Sequence, residues 1–229
     1  MSRSMHAWAS PSEYPICASE MDGGAADGDD LLNLRARPRA THAWVLDTET
    51  TGRQHTARIV EVAIVRVDLT TGETSHGRAT LVHPGCPIPR DVIAVHGITD
   101  AMVRSAPTAD KVLPRLFDVL VKGAEANEPL VIHNAAFDLA ILRSDAKRVR
   151  VALPNRVRVY DSLRASRALR KVKGHALGVV AERYGVTVEG AHRAWADVLT
   201  LAGVLPHLLR EPLAEARCVT ECFPMEGML

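Results

Sequence analysis

Three β-rich runs, THAWVLD (41–47), RIVEVAIVRVD (58–68) and HGRATLVHP (76–84), lie close together in the chain with turn signals such as TTGE between them. Runs of Val, Ile, Thr and aromatic residues at hairpin distances predict an antiparallel meander. The character then changes. PLVIHN (129–134) and VRVYD (157–161) have the length of short buried strands. The first is followed by the helical pattern AAFDLAILRSDAKRV, the second by SLRASRALRK, HALGVVAERYG and RAWADVLTLAGVLPHLL. A meander passing into strand–helix alternation predicts a mixed sheet flanked by helices, an α/β architecture. Between the halves, the prolines of PGCPIP exclude regular structure. TDAMVRSAPTADKVLPRLFDVLVKG (99–123) reads as helix in pieces, with Thr99 and Thr108 as N-caps and Pro114 as a kink or restart.

With 229 residues and 47% of them hydrophobic, the chain has material for one substantial core. Residues 1–40, rich in Ser, Ala, Gly, Asp and Pro, show no useful period and are expected to form a flexible acidic arm. The folded domain is expected over 41–210, and 211–229 forms a short acidic tail. The net charge of +1 hides an uneven distribution: residues 1–34 carry −5 and the tail −3, while eleven Lys/Arg between Arg143 and Lys173 face only Asp145 and Asp161. A basic middle suits a polyanion, although a solvated charged face accounts for it equally well. Cys17, Cys86, Cys218 and Cys222 form no CxxC pair, which argues against structural zinc and for reduced thiols. With no signal-peptide core and no run of eighteen apolar residues, a soluble cytoplasmic protein is expected, away from any membrane.

WVLDTETTG holds the first chemical signal. Asp47 and Glu49 are two apart, so on an extended strand both project to one face. Burying carboxylates without a partner is costly, so such a pair implies a cation, a proton donor or solvent. Asp138, in HNAAFDLAIL, and Asp197, in HRAWADVLTL, are further acids set in apolar segments. Hard oxygen ligands at this density suit Mg²⁺ or Mn²⁺, whereas each acid alone reads as a salt-bridge partner. His192 is five residues before Asp197. On one helix the two would point apart, so His192 can share a site only from the loop or first turn before it. There it reads as a general base, and otherwise as a surface or capping residue.

DTETTG, HGITDAMV, HNAAFD and HRAWAD, in that order, resemble the motifs of the DEDDh branch of the DnaQ-like 3′→5′ exonuclease superfamily, over about residues 41–209. The resemblance implies an RNase H-like fold, with a five-stranded mixed sheet whose first three strands form a meander. It implies that Asp47, Glu49, Asp138 and Asp197 are the metal-site acids and His192 the general base. Arg193, four residues before Asp197, stands where the sibling branch has Tyr, which supports the His type. Two divalent ions, Mg²⁺ or Mn²⁺, would serve the attacking water and the leaving 3′ oxygen. Thr50, Thr51 and Gly52 would lie against the terminal nucleotide. His96 and Phe137 would help hold the 3′ end, with a structural hydrogen bond and core packing as their plain alternatives. Asn134 would orient the acid-bearing turn or cap the helix after it.

The implied activity is metal-dependent release of 5′-mononucleotides from the 3′ end of single-stranded nucleic acid, with DNA expected. An exoribonuclease of the RNase T or oligoribonuclease kind and a non-catalytic nucleic-acid-binding subunit are the alternatives. Trp195 replaces a smaller aliphatic common in the family. The short tail offers no counterpart to a polymerase-binding extension, so association with a polymerase is unsupported. Oligomeric state is not legible.

Overall fold

The computed structural model describes residues 40–154, 157–169, 173–188, 190, 192–211 and 219–222. The expected N-terminal arm lies outside the described residues apart from Ala40, as does most of the tail. The meander is present as β1 (His42–Thr50), β2 (Ile59–Asp68) and β3 (Thr74–Leu81), with β1–β2 and β2–β3 both antiparallel. β4 (Leu130–Ile132) pairs parallel to β1, and β5 (Val157–Asp161) parallel to β4. Beyond the five expected strands, β6 (Val219–Cys222) pairs antiparallel with β5, giving the order β3-β2-β1-β4-β5-β6. β6 comes from the segment expected to be a tail; VTEC lacks the continuous apolar run by which PLVIHN reads as a buried strand.

The helices are α1 (Arg90–His96), α2 (Asp100–Val103), α3 (Ala109–Glu125), α4 (Ala135–Val149), α5 (Ser162–Ala168), α6 (Leu177–Arg183) and α7 (Ala194–Arg210). α1 is not visible in the sequence because its apolar residues, Val92 to Val95, run consecutively just after a proline-rich segment and show no helical spacing. The break expected at Pro114 is a correction: α3 runs through it, and the interruption falls at 104–108 instead. Pro114 sits in the second turn, so the carbonyl it leaves without a partner belongs to Asp110 at the exposed start of the helix, where water can satisfy it. Thr99 caps α2 through its side chain. Thr108 holds the N-cap position of α3, but its hydroxyl goes to Asp110.

Strand alternation divides the core into two layers. Trp44 and Leu46 of β1, with Ile59, Val62 and Ile64 of β2, pack among Leu113, Leu116, Leu120, Ile141 and Leu142 of α3 and α4. Ala43 and Val45, with Ala63, Val65 and Val67, pack among Val198, Leu201 and Leu205 of α7 and Val180 of α6. The even positions of β1 therefore face α3 and α4, and the odd positions face α7.

Candidate active site

Continuing that alternation to the end of β1 sends Asp47 and Glu49 to the α7 side and Thr48 to the α4 side. Asp197, in the first turn of α7, meets the first pair: Asp47, Glu49 and Asp197 each offer a carboxylate oxygen, and these oxygens lie within 4.8 Å of one another. Asp138, in the first turn of α4, arrives from the opposite layer and is not one of this trio. It is 3% exposed, and its Oδ1 accepts a 2.7 Å hydrogen bond from Thr48 Oγ1. The four acids expected together thus form a trio with a neighbour, since α4 and α7 pack on different faces of the sheet.

Crowding leaves its mark on their acidity. Burial, then the charges of Asp138, Asp197, Glu49 and Glu61, hold Asp47 well above the ordinary carboxylate range. Burial, reinforced by Asp197 and Glu61, pushes Glu49 up to about 8. Burial pushes Asp138 up to about 7 against the opposing pull of the Thr48 bond. Asp197 is raised by burial, and the charge and backbone N–H of His192 draw it partly back. Such a set of hard oxygens, each made harder to ionise by its surroundings and by the others, has the donor chemistry of a divalent-cation site, and the residues fit that group.

His192 lies in the loop before α7, whose N-cap is Arg193. It is exposed, its φ of 66° falls in the left-handed region, and its backbone N–H bonds to Asp197. The loop brings His192 to the acids, as no position on α7 five residues before Asp197 would.

Beside the acids opens a cleft of about 380 Å³ with Thr50, Gly52, Val95, His96, Asn134 and Phe137 in its wall. A second cleft of about 580 Å³ shares Gly52, Arg53, Val92 and Val95 with it. Thr50 Oγ1 donates to Gly52 O (2.5 Å). Thr51 lies outside the first cleft wall and in the second. It closes the 51–58 loop, its N–H donating to Arg58 O (2.9 Å) and its Oγ1 accepting from Arg58 N–H (3.0 Å). His96 is 5% exposed. Its Nδ1 accepts from Ile98 N–H at 2.9 Å, so Nε2 carries the ring proton and donates to Thr50 O at 3.3 Å. Burial lowers its pKa, in keeping with a neutral ring bracing α1 against the end of β1. Gly97, with φ 71°, supplies the left-handed C-cap that turns the chain after α1. Phe137 combines its two expected roles, lining the cleft while packing against the α3–α4 core. Asn134 occupies the N-cap of α4 in the left-handed region, but its side chain makes no capping bond, which corrects the capping reading.

Two further acids at the site stand outside the sequence motifs. Asp161, at the end of β5, accepts from Leu163 and Arg164 N–H at the start of α5 and from Asn134 N–H (3.3 Å), joining two helix starts beneath the cleft. Glu61 stands directly across from Glu49 in the β1–β2 register and is 3% exposed. Its signal in the sequence is an acid at an inward position of RIVEVAIVRVD, on the face of Ala63, Val65 and Val67.

Residues 44–205 match the family model of RNase T-type exonucleases, described as Exonuclease. The chain belongs to this exonuclease family. A DNA polymerase III subunit epsilon-like protein of Rhodobacter capsulatus is 38% identical over 182 residues, 77% of this chain and 24% of that protein. The DNA polymerase III subunit epsilon of Pasteurella multocida is 31% identical over 176 residues, covering 72% of this chain and 66% of that protein. The exonuclease chain thus spans about a quarter of the length of the first relative. Exonuclease X in complex with 5′ overhanging duplex DNA aligns with a TM-score of 0.59 at 25% identity, over 77% of this chain and 97% of that one. The nuclease domain of 3′hExo, a DEDDh family member bound to rAMP, shares the fold with a TM-score of 0.66 at 19% identity, over 81% and 99%. The family and the RNase H-like fold expected from the sequence are those found. Among the described residues of the exonuclease, no helix is long and apolar enough to cross a membrane.

Proposed function

We propose that this exonuclease, a soluble cytoplasmic enzyme, removes nucleotides from the 3′ end of single-stranded nucleic acid, with DNA as its substrate, by divalent-metal-dependent hydrolysis that releases 5′-mononucleotides. The observation that carries this reading is the meeting of Asp47, Glu49 and Asp197 beside His192 at the mouth of a nucleotide-sized cleft. DNA is favoured by similarity to relatives named as DNA polymerase III epsilon and epsilon-like proteins.

Asp47, Glu49 and Asp197 would hold one Mg²⁺ or Mn²⁺, and Asp138 would join Asp47 in holding a second. When bound, the ions supply Lewis-acid activation of water and stabilisation of charge on the phosphate and the leaving 3′ oxygen. The remaining work belongs to the chain. The wall of Thr50, Gly52 and Phe137 orients the terminal nucleotide, with the Phe137 ring stacking on its base. His192 takes the proton of the attacking water as its oxygen bonds to phosphorus. The bond from phosphorus to the 3′ oxygen breaks, and that oxygen takes a proton from solvent to become the 3′ hydroxyl of the shortened chain. Such proton transfer contributes typically ~10²–10⁴-fold.

Digestion of DNA and RNA oligomers of one sequence, labelled at the 3′ or the 5′ end, tests the reading. Mononucleotide should leave first from 3′-labelled DNA, only with Mg²⁺ or Mn²⁺ present, and Asp47→Ala should nearly abolish release. Full activity in excess EDTA, or in Asp47→Ala, would remove metal hydrolysis. Faster digestion of RNA would transfer the assignment to an exoribonuclease, and binding without cleavage to a nucleic-acid-binding subunit.

A further inference from the structure

Glu61 has both carboxylate oxygens engaged. Arg193 Nε donates to Oε2 at 3.0 Å and Nη2 to Oε1 at 2.5 Å, while the backbone N–H of Ala194 donates to Oε2 at 3.0 Å. A guanidinium fork closed on a buried carboxylate is among the more rigid polar contacts a protein makes. It joins β2 to the residue that follows His192 and to the first residue of α7, across 132 positions of sequence. From the other side, the Asp197 carboxylate bonds to the backbone of His192. Between these two attachments His192 holds a left-handed backbone, a conformation with an intrinsic cost for a side chain of this size, which therefore persists only where its surroundings enforce it.

We propose that the Glu61–Arg193 pair is a positioning device that holds the His192 imidazole at the acid cluster, an inference that rests on the nuclease reading above. Glu61 is then an anchor with its oxygens committed, rather than another metal ligand. Arg193 is a strut rather than a phosphate contact, its fork directed into the protein.

Arg193→Met should lower kcat by roughly 10–100-fold, the scale of a misplaced catalytic group, with KM within threefold and an unchanged salt dependence. Because the effect runs through His192, the same substitution in a His192→Ala background should cost less than about threefold more. Arg193→Lys, which keeps the charge without the fork, should recover only part of kcat. In metal-free protein, amide exchange at Ala194 should speed at least about tenfold in Arg193→Met while amides of Leu201–Leu205 stay protected.

A kcat within twofold of wild type, a full multiplicative loss in the His192→Ala background, or a loss confined to KM with a shallower salt slope would each overturn the proposal. If Arg193→Met does not fold, Arg193→Gln, which keeps a polar side chain but removes the two-pronged guanidinium contact with Glu61, is held to the same outcomes. Unchanged exchange at Ala194 overturns the proposal independently of turnover, whereas a wild-type protein without nuclease activity but with the exchange result strikes the nuclease reading instead.

Discussion

Glu49 is pushed up to about 8 from an ordinary value of 4.5, so between those values the folded protein binds a proton that the unfolded chain releases. Stability in the absence of metal must then fall as pH rises through that window. Asp138, moved from 3.8 to about 7, and Asp47 act in the same direction. The buried His96 and the half-buried His133, both lowered from 6.5 by burial, oppose it only below that pH. In EDTA, the Tm should therefore rise as pH is lowered from 8 to about 6.5. Glu49→Gln, a mimic of the protonated acid, should melt higher than wild type at pH 8, with the advantage shrinking toward pH 6.5; a flat Tm across that range contradicts the assignment. Divalent cations compete with these protons, so Mn²⁺ should raise Tm more at pH 8 than at pH 6.5. His192 makes a separate prediction. At saturating metal, His192→Ala should keep substrate binding yet lose roughly 10²–10⁴-fold in kcat. A near-normal kcat would leave the proton to solvent.

α7 is held against the sheet by a fit that explains the unusual Trp195. Its indole lies over β3 at Gly77, where an added Cβ would stand 2.4 Å from Cη2 and 2.9 Å from Cζ3 of the ring, and 3.2 Å from Val65. The large aromatic on the helix and the absent side chain on the strand are one packing solution. Since Trp195 is two residues from Asp197, a displaced indole also shifts the acid. Gly77→Ala should destabilise by about 1–3 kcal/mol, the usual range for overpacking, and lower activity with it. Adding Trp195→Leu should restore part of both, measured by denaturant unfolding and kcat. Additive losses in the double variant would mean that the two positions do not share one space.

The exposed basic residues of the 143–173 stretch include Arg164 and Arg167 on α5, which begins at the end of β5 close to the start of α4. Arg170 and Lys171, in the same basic stretch, lie outside the described residues. An arginine pair at this end of the sheet suits a strand approaching the cleft, and its contribution is read from salt. Neutralising Arg164 and Arg167 together should raise KM and leave kcat at saturating substrate within about twofold. The slope of log affinity against log salt should shrink by about 0.7 for each single-strand phosphate that the pair neutralises in the wild-type protein. An unchanged slope would assign them to an ordinary solvated face.

Much of this was legible in local patterns. Period-two alternation in β1 and β2 and the 3.6-residue repeat in α4 and α7 depend on neighbours in the chain, and so does the rule that sets Asp47 and Glu49 on one face. The five-residue gap from His192 to Asp197 likewise called for a loop before α7. What lay beyond sequence was every relation set by pairing and layering. Which face of β1 meets α7 and which meets α4 decides that Asp138 reaches the site beside Thr48 rather than among the trio. The β1–β2 register decides that Glu61 stands across from Glu49, and the packing of α7 decides that Arg193 can reach it. Even the sixth strand exists only because β5 offers an edge for four residues to pair with. Short-range periodicity carries no information about contacts between residues more than a hundred positions apart, which arise only once the two layers have closed on the sheet.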